Sequence, residues 1–253
     1  MTIGIYGLGR FGLFWAGKMA SLGRVVGYNR TPRRFPPSIE LVPLDGLSEC
    51  DVVFICAAIS AIPQVAKDLS AVLRPGTLVM DTCSVKEFPL ASLVRYLPEQ
   101  IDVIGTHPMF GPDSADSSLH DLPMVVTPTR GSDSLVQEWA DRFSSLGMRV
   151  MVMSPEDHDR EAARTQGITH FIGRLLASLD LKPSPMGTLG FKKIFEVMEQ
   201  TCNDPWQLFL DLQQYNPHTK EMREQMVGKF DELIQVLSGL SDNSTHDDGL
   251  TEK

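Results

Sequence analysis

A chain of 253 residues, 42% hydrophobic and 22% charged, is long enough for one large domain or two modest ones around a sizeable core. Its formal net charge of −9 argues against general nucleic-acid or membrane-surface binding, since both want a basic field. Four cysteines (Cys50, Cys56, Cys83 and Cys202) show neither C-x-x-C spacing nor a disulfide pattern, and no apolar run is long enough to span a bilayer. A reducing cytoplasm fits these features, and a strand expected from residue 2 leaves no room for a signal or transit peptide.

In chain order, Ile3, Ile5 and Tyr6 read as a buried strand that leads into Gly7, Gly9 and Gly12 and then into an amphipathic segment with Leu13, Phe14, Ala16 and Met19. Strand, G-x-G-x-x-G and helix form the dinucleotide-binding arrangement. Gly7 permits the tight turn, Gly9 lets the backbone approach a pyrophosphate, and Gly12 allows close packing of helix on strand. Leu8, Arg10 and Phe11 complete the turn, and the helix N-terminus offers unpaired N–H groups to the phosphate charge. Arg24 to Tyr28 reads as a second strand, ending at Asn29, Arg30 and Thr31 with Arg33 and Arg34 close behind. An NAD enzyme commonly places Asp or Glu here for the ribose 2′-hydroxyl. Asn29 followed by arginines suits a 2′-phosphate instead, because guanidinium groups pair with it bidentately. NADP is therefore favoured over NAD, with Asn29, Arg30, Thr31 and Arg34 as contacts; a solvated basic loop is the plainer alternative.

Residues 51–57 form a continuous apolar run, as expected of a central parallel strand covered on both faces. A helix carrying Ile62, Val65, Ala66, Leu69 and Leu73 follows, then a strand from Thr77 to Asp81. Ser84 and Lys86 lie just past its carboxyl end, the edge where ligands bind in open α/β sheets. A strand over 101–105 leads to His107, and Met124 to Thr127, a helix from Ser134 to Leu146, and Arg149 to Met153 complete an alternating pattern. Such alternation predicts a Rossmann-type, doubly wound parallel sheet over residues 1–153. From 154 to 240 helical periodicity takes over, with helices expected at Asp157 to Leu181, Leu189 to Cys202, Trp206 to Tyr215 and His218 to Leu237. An all-helical half that cannot easily wrap its own apolar surface implies a homodimer formed through it. The polar stretch 241–253 has few residues to bury and is expected to be disordered.

His107 is the sharpest candidate for chemistry, because the sheet places it near the nicotinamide end of a dinucleotide and its ordinary pKa suits proton transfer from a hydroxyl. Ser84 is positioned to orient it or to bond the same hydroxyl, and Lys86 to hold the cofactor or a substrate carboxylate. In the helical half Gln166, His170 and Arg174 recur every four residues on one helix face. His158 lies too far from His170 along a straight helix to share a metal with it, and no metal site is expected.

With the glycine turn, Asp81 to Pro89 and Thr106 to Pro112 in this order, the chain resembles the prephenate/arogenate dehydrogenase family of tyrosine biosynthesis. The match continues through Glu156 to Asp159, Thr165 to His170 and Asn203, covers most of residues 1 to 237, and is nearest the plant-type arogenate dehydrogenases. The resemblance implies oxidative decarboxylation of a small cyclohexadienol: hydride leaves C4 for the nicotinamide, the C4 hydroxyl is deprotonated, and the ring carboxylate departs as CO2. It implies His107 as the catalytic base, Ser84 as its partner, and His170, Gln166 and His158 as substrate contacts. One departure is that no arginine follows Gly190 and Phe191, leaving Lys192, Lys193 or Arg174 to meet the ring carboxylate. An acidic group from Asp159, Glu156 or Asp157 beside the side chain would favour the ammonium of arogenate over prephenate. A 3-hydroxyacid-type dehydrogenase using a lysine of the helical half, and a non-catalytic NADP-binding sensor, are the competing possibilities.

Overall fold

The computed structural model describes residues 1–115 and 118–244. Its first part alternates β1 (Thr2–Tyr6), α1 (Arg10–Met19), β2 (Arg24–Tyr28), β3 (Glu40–Leu41), β4 (Val52–Ile55), α2 (Ile62–Ser70), β5 (Leu78–Asp81), α3 (Glu87–Tyr96), β6 (Asp102–Pro108), β7 (Pro123–Arg130), α4 (Asp133–Ser145) and β8 (Arg149–Val152). The strands form one sheet in the order β3-β2-β1-β4-β5-β6-β7-β8. The chain steps from β1 outward to β2 and then returns to place β4 on the other side of β1. That reversal opens a crevice beyond the carboxyl ends of β1 and β4, where α/β sheets bind ligands.

The sheet is doubly wound as expected but not wholly parallel: β7 runs antiparallel to β6. A parallel return would need a crossover, usually a helix. The connection from Met109 to Leu122 has none among its described residues and turns back directly, with Met109 N–H bonded to Pro123 O at 3.0 Å. Alternate side chains of β4 enter opposite layers. Val52 and Phe54 pack with Trp15, Trp139 and Phe143 under α1 and α4, and Val53 and Ile55 pack with Leu69, Val79 and Leu93 under α2 and α3. Both faces are covered, which is why the strand reads as an unbroken apolar run.

From Pro155 the described elements are helices: α5 (Pro155–Ala162), α6 (Ile168–Ser178), α7 (Leu189–Cys202), α8 (Trp206–Tyr215) and α9 (Thr219–Ser244). The single helix expected from Asp157 to Leu181 begins earlier, at the cap Ser154, whose hydroxyl accepts from Asp157 N–H. It is also interrupted by a π turn over Ala163–Gly167. The last helix outruns its expected end at Leu237, so residues 241–244, expected to be disordered, are helical, and 245–253 lie outside the described residues. Among the described residues no helix is long and apolar enough to cross a membrane.

Two contacts seat the later helices on the first half of the chain: Asp211 accepts from Ser60 N–H at 3.0 Å and from its hydroxyl at 2.9 Å, and Phe88 stacks on Tyr215 with ring centroids 4.2 Å apart. Within the helical half, Asn216 Nδ2 donates to Asp159 O at 2.8 Å and ties α8 to α5. At the other end of the crevice, Gly7 has φ +99°, and a Cβ on Gly12 would lie 1.9 Å from Gly7 O, whereas a Cβ on Gly9 would meet nothing within 4 Å. Gly12 is thus required by the fold, whereas the space over Gly9 is open. Gly12→Ala is expected to cost about 1–3 kcal/mol in a urea melt, as overpacking does. Gly9→Ala is expected to melt like the parent while weakening dinucleotide binding in a fluorescence titration by at least the ~1.4 kcal/mol of a tenfold loss.

Candidate active site

A cavity of about 550 Å³ lies between the carboxyl edge of the sheet and the helices. Gly9, Arg10, Phe11 and Gly12 of the turn line one end; Ser84, following β5, and His107, from the last residues of β6, form the floor. Thr165 and Gln166 of the π turn, Thr169 and His170 of α6, and Asp204 from the break between α7 and α8 close the opposite wall. Single π turns inside α-helices often sit at functional sites, and this one delivers Gln166 to the cavity. The α6 backbone comes close to α7 because residue 173 is glycine: a Cβ there would strike Thr201 Oγ1 at 2.1 Å.

Three buried polar atoms of the cavity wall have no partner within the protein: Ser84 Oγ, Gln166 Oε1 and His170 Nδ1. Buried polar groups are otherwise nearly always bonded, so three orphans facing one cavity mark a place for a polar ligand. His107, only 4% exposed, has its Nδ1 2.8 Å from His158 Nε2, and His158 Nδ1 is 2.8 Å from Asp159 Oδ1. Burial first, and then the nearby His158, Lys86 and His170, hold His107 well below the ordinary histidine pKa. Burial lowers His158 as well, although Asp159 pulls the other way, and it lowers His170 to about 4 with help from Arg174. All three rings are neutral at pH 7, so His107 is an available proton acceptor. Asp204 is shifted upward, by burial first and against the opposing pull of Arg10 and Arg174.

The glycine turn fits a dinucleotide. No side chain caps the N-terminus of α1, so its N–H groups stay open to an anion, and space lies over Gly9. Leu8 is buried in the core and contributes only backbone, its N–H bonded to Asn29 Oδ1 at 2.9 Å. Asn29 also donates to Thr31 O at 2.6 Å, so it shapes the turn. Arg30, Thr31 and Arg34 stand exposed past the end of β2, while Arg33 reaches back to Leu8 O at 2.9 Å. Arg10 forms an exposed ion pair with Asp113 at the cavity mouth.

Several sequence expectations need correction. Lys86 is not a cofactor contact: it is fully buried beneath the site, paired with Asp81 and bonded to Thr106 O at 2.6 Å. Its aliphatic stem lies in the core and its charge has nowhere to go but to Asp81. Lys192 is exposed on α7 beside a separate, shallow depression lined by Ala177, Phe195 and Cys202, and does not line the cavity that holds His107. Arg174 donates to Asp204 O at 2.6 Å and lies over Trp206, which turns it away from the cavity. His158 stands behind His107 and does not line the cavity. Asp159 is wholly buried against the start of α3, and Glu156 and Asp157 are exposed and paired with Arg160, so none of these acids faces a substrate. Among the described residues the acids that line the cavity are Asp204 and Asp211. In the sequence Asp204 lies within Asn203-Asp204-Pro205, a helix-breaking run that carries no local sign of a site. Among the described residues no cluster of His, Cys, Asp and Glu has the spacing of metal ligands.

A doubly wound sheet with an open glycine turn at its switch point, and a neutral histidine under a helical wall, defines a dinucleotide-binding α/β protein of dehydrogenase type. Residues 39–152 match the family model for the prephenate dehydrogenase nucleotide-binding domain, and residues 175–248 match that for the TYRAAT1-like C-terminal domain. Arogenate dehydrogenase 2, chloroplastic, of Arabidopsis thaliana is 36% identical over 195 residues, covering 75% of this chain and 54% of that protein. A probable arogenate/prephenate dehydrogenase of Methanocaldococcus jannaschii is 31% identical over 209 residues, covering 77% of this chain and 45% of that protein. The chain thus spans about half the length of these relatives. In fold it is similar to the crystal structure of Synechocystis arogenate dehydrogenase, with TM-score 0.71 and 22% identity over 97% of this chain and 95% of that one. It is also similar to prephenate dehydrogenase from A. aeolicus in complex with hydroxyphenyl propionate and NAD+, with TM-score 0.69 and 22% identity over 97% and 96%. The chain belongs to the prephenate/arogenate dehydrogenase family.

Removing the Lys86 charge leaves Asp81 buried without its partner. Lys86→Met is therefore expected to cost about 3–5 kcal/mol in equilibrium urea unfolding, and an unchanged midpoint would refute the placement of Lys86 as a structural cation.

Proposed function

We propose that the protein oxidatively decarboxylates arogenate to tyrosine with NADP in tyrosine biosynthesis, prephenate (giving 4-hydroxyphenylpyruvate) being the related keto-acid substrate. The observation that carries this is the neutral, buried His107 set beside three unpartnered polar atoms at the end of an open glycine turn. When bound, the nicotinamide supplies the acceptor for the hydride leaving C4 of the cyclohexadienol ring. His107 takes the proton of the C4 hydroxyl, and Ser84 Oγ, free of any protein partner, bonds the same oxygen and fixes its direction. Loss of the ring carboxylate as CO2 then makes the ring aromatic. With Lys192 remote and Arg174 turned onto Asp204 O, contacts to the substrate carboxylates fall to the donors of His170 and Gln166.

Arogenate is favoured over prephenate by Asp204. Its carboxylate lines the cavity, lies 3.8 Å from His170 Nε2 and is desolvated enough for its pKa to rise, so an ammonium is a better neighbour for it than a keto group. NADP is favoured over NAD by Arg30 and Arg34, exposed where the adenosine ribose would fall, and by Asn29 in place of a carboxylate. The chain works as a homodimer through its helical half, where Val227, Phe230, Ile234 and Leu237 of α9 form an exposed stripe. A reducing cytoplasm suits its four free cysteines. The rival 3-hydroxyacid chemistry required a lysine in the cavity, and Lys192 and Lys193 are both exposed on α7 outside it.

Initial rates with arogenate and prephenate, each paired with NADP and NAD, test the proposal. Arogenate with NADP is expected to be fastest, and Asp204→Asn is expected to lower kcat/KM for arogenate about ten- to a hundredfold relative to prephenate, the ~1.5–3 kcal/mol of a charge-assisted hydrogen bond. Preference for prephenate in the parent would discard the role of Asp204 and keep the family. Folded protein that turns over neither substrate with either cofactor would overturn the proposal.

A further inference from the structure

We propose that Asp159 and His158 set the tautomer of His107 from behind, so that the start of α3 decides which nitrogen of the base meets the substrate. This rests on the assignment of His107 as the base. Groups whose polarity is fixed set the direction of the chain of bonds. The backbone N–H groups of Lys86 and Glu87 can only donate, and they point at Asp159 Oδ1 at 2.7 Å and Oδ2 at 2.9 Å. Each oxygen thus already accepts one backbone N–H, the pattern of a carboxyl group that acts as acceptor only. His158 Nδ1, 2.8 Å from Oδ1, must then carry the proton. A neutral ring has only one, so His158 Nε2 is bare. His107 Nδ1 lies 2.8 Å from that bare nitrogen and must in turn donate, which leaves His107 Nε2 unprotonated. His107 lines the cavity, and Nε2 is the ring nitrogen not committed to His158.

The polarity of this chain is not open to reversal by its surroundings. Around the two rings stand the paired Lys86 and Asp81, His170 across the cavity and Glu87 at the head of α3. The burial of both histidines keeps them singly protonated at neutral pH. When the C4 hydroxyl proton moves to His107 Nε2, the imidazolium so formed donates from Nδ1 to a ring that is itself held by the Asp159 carboxyl group. The positive charge is thereby stabilised, while the two electrons of the C4–H bond leave as hydride for the nicotinamide. His158 and Asp159 touch neither substrate nor cofactor and act as positioning residues. Asp159 belongs to α5 and His107 to β6, so the base has its proper tautomer only when the helices are seated on the sheet.

The test is imidazole nitrogen NMR on the histidine-labelled 253-residue chain, with the resonances of His107 identified through His107→Asn. In the parent, His107 is expected to carry its proton on Nδ1. In His158→Met, and equally in Asp159→Ala, which does not touch His107, the proton is expected to move wholly or partly to Nε2. kcat for the cyclohexadienol is expected to fall roughly 10²- to 10⁴-fold, the span of general base catalysis, with KM little changed. A space-filling role would alter KM or melting temperature and leave the tautomer alone. If Asp159→Ala does not fold, the parent spectrum and His158→Met decide the matter. A proton on Nε2 in the parent, or a His158→Met variant with unaltered tautomer and kcat, overturns the proposal. Because the spectrum needs no substrate, a correct tautomer in a protein that turns over neither cyclohexadienol would reject the proposed activity and leave this assignment standing.

Discussion

The segment from Asp81 to Glu87 is pinned from both sides by buried carboxylates, and the site depends on it. Asp81, at the end of β5, holds the Lys86 ammonium inside the protein, where Thr106 O takes a further bond. Asp159, from the helices, holds the backbone N–H groups of Lys86 and Glu87. A charge with no access to water has to be paired and bonded, and a helix N-terminus has to have its N–H groups met. Here the two requirements are satisfied by one loop, and Ser84 sits in the middle of it with its hydroxyl left over for the cavity. The same Thr106 that accepts from Lys86 precedes His107, so the loop and His107 are fixed relative to each other.

Sheet topology decides where this loop lies. Reversal of strand order at β1 opens the crevice, the glycine turn fills one end, and β5 and β6 bring Ser84 and His107 to the other. The antiparallel β7 lets the chain pass from His107 through a loop and straight back, so the segment after the base is free to cover the cavity with Met109, Phe110 and Pro112. The helices supply the remaining wall, and the π turn is the local deviation that brings Gln166 into it.

The cavity is electrostatically uneven in a useful way. Its floor carries His107, whose charge is suppressed by burial first and then by the neighbouring His158 and Lys86, so a proton can be accepted there. Its outer wall carries Asp204 and Arg10, groups of opposite sign. The open end of the crevice carries exposed arginines past β2. Burial is the common cause: it removes charge from the base and strengthens the charges that remain.

The sequence alone determined the glycine turn, the alternation of strands and helices, the change to helices near residue 154, and the prominence of Ser84, His107, Gln166 and His170. These features are written in local periodicity, in glycines with steric duties and in residues placed just past strand ends, and each needs only neighbours in the chain. Tertiary structure decided the rest. Lys86 looked like a ligand-binding cation because nothing local shows that its stem enters the core and that Asp81 waits there. Asp159 looked like a substrate acid because its true partners, at Lys86 and Glu87, lie more than 70 residues earlier. His158 was drawn toward the substrate when its partner was the base itself, and Asp204 passed as a helix break until folding set it in the cavity wall. Lys192 and Arg174 were judged by their charge, and only packing showed one facing outward and the other committed to a backbone carbonyl. Charge and residue type are properties of the chain, but whether a charge meets solvent, a ligand or a buried partner is settled by contacts between segments that the sequence keeps far apart.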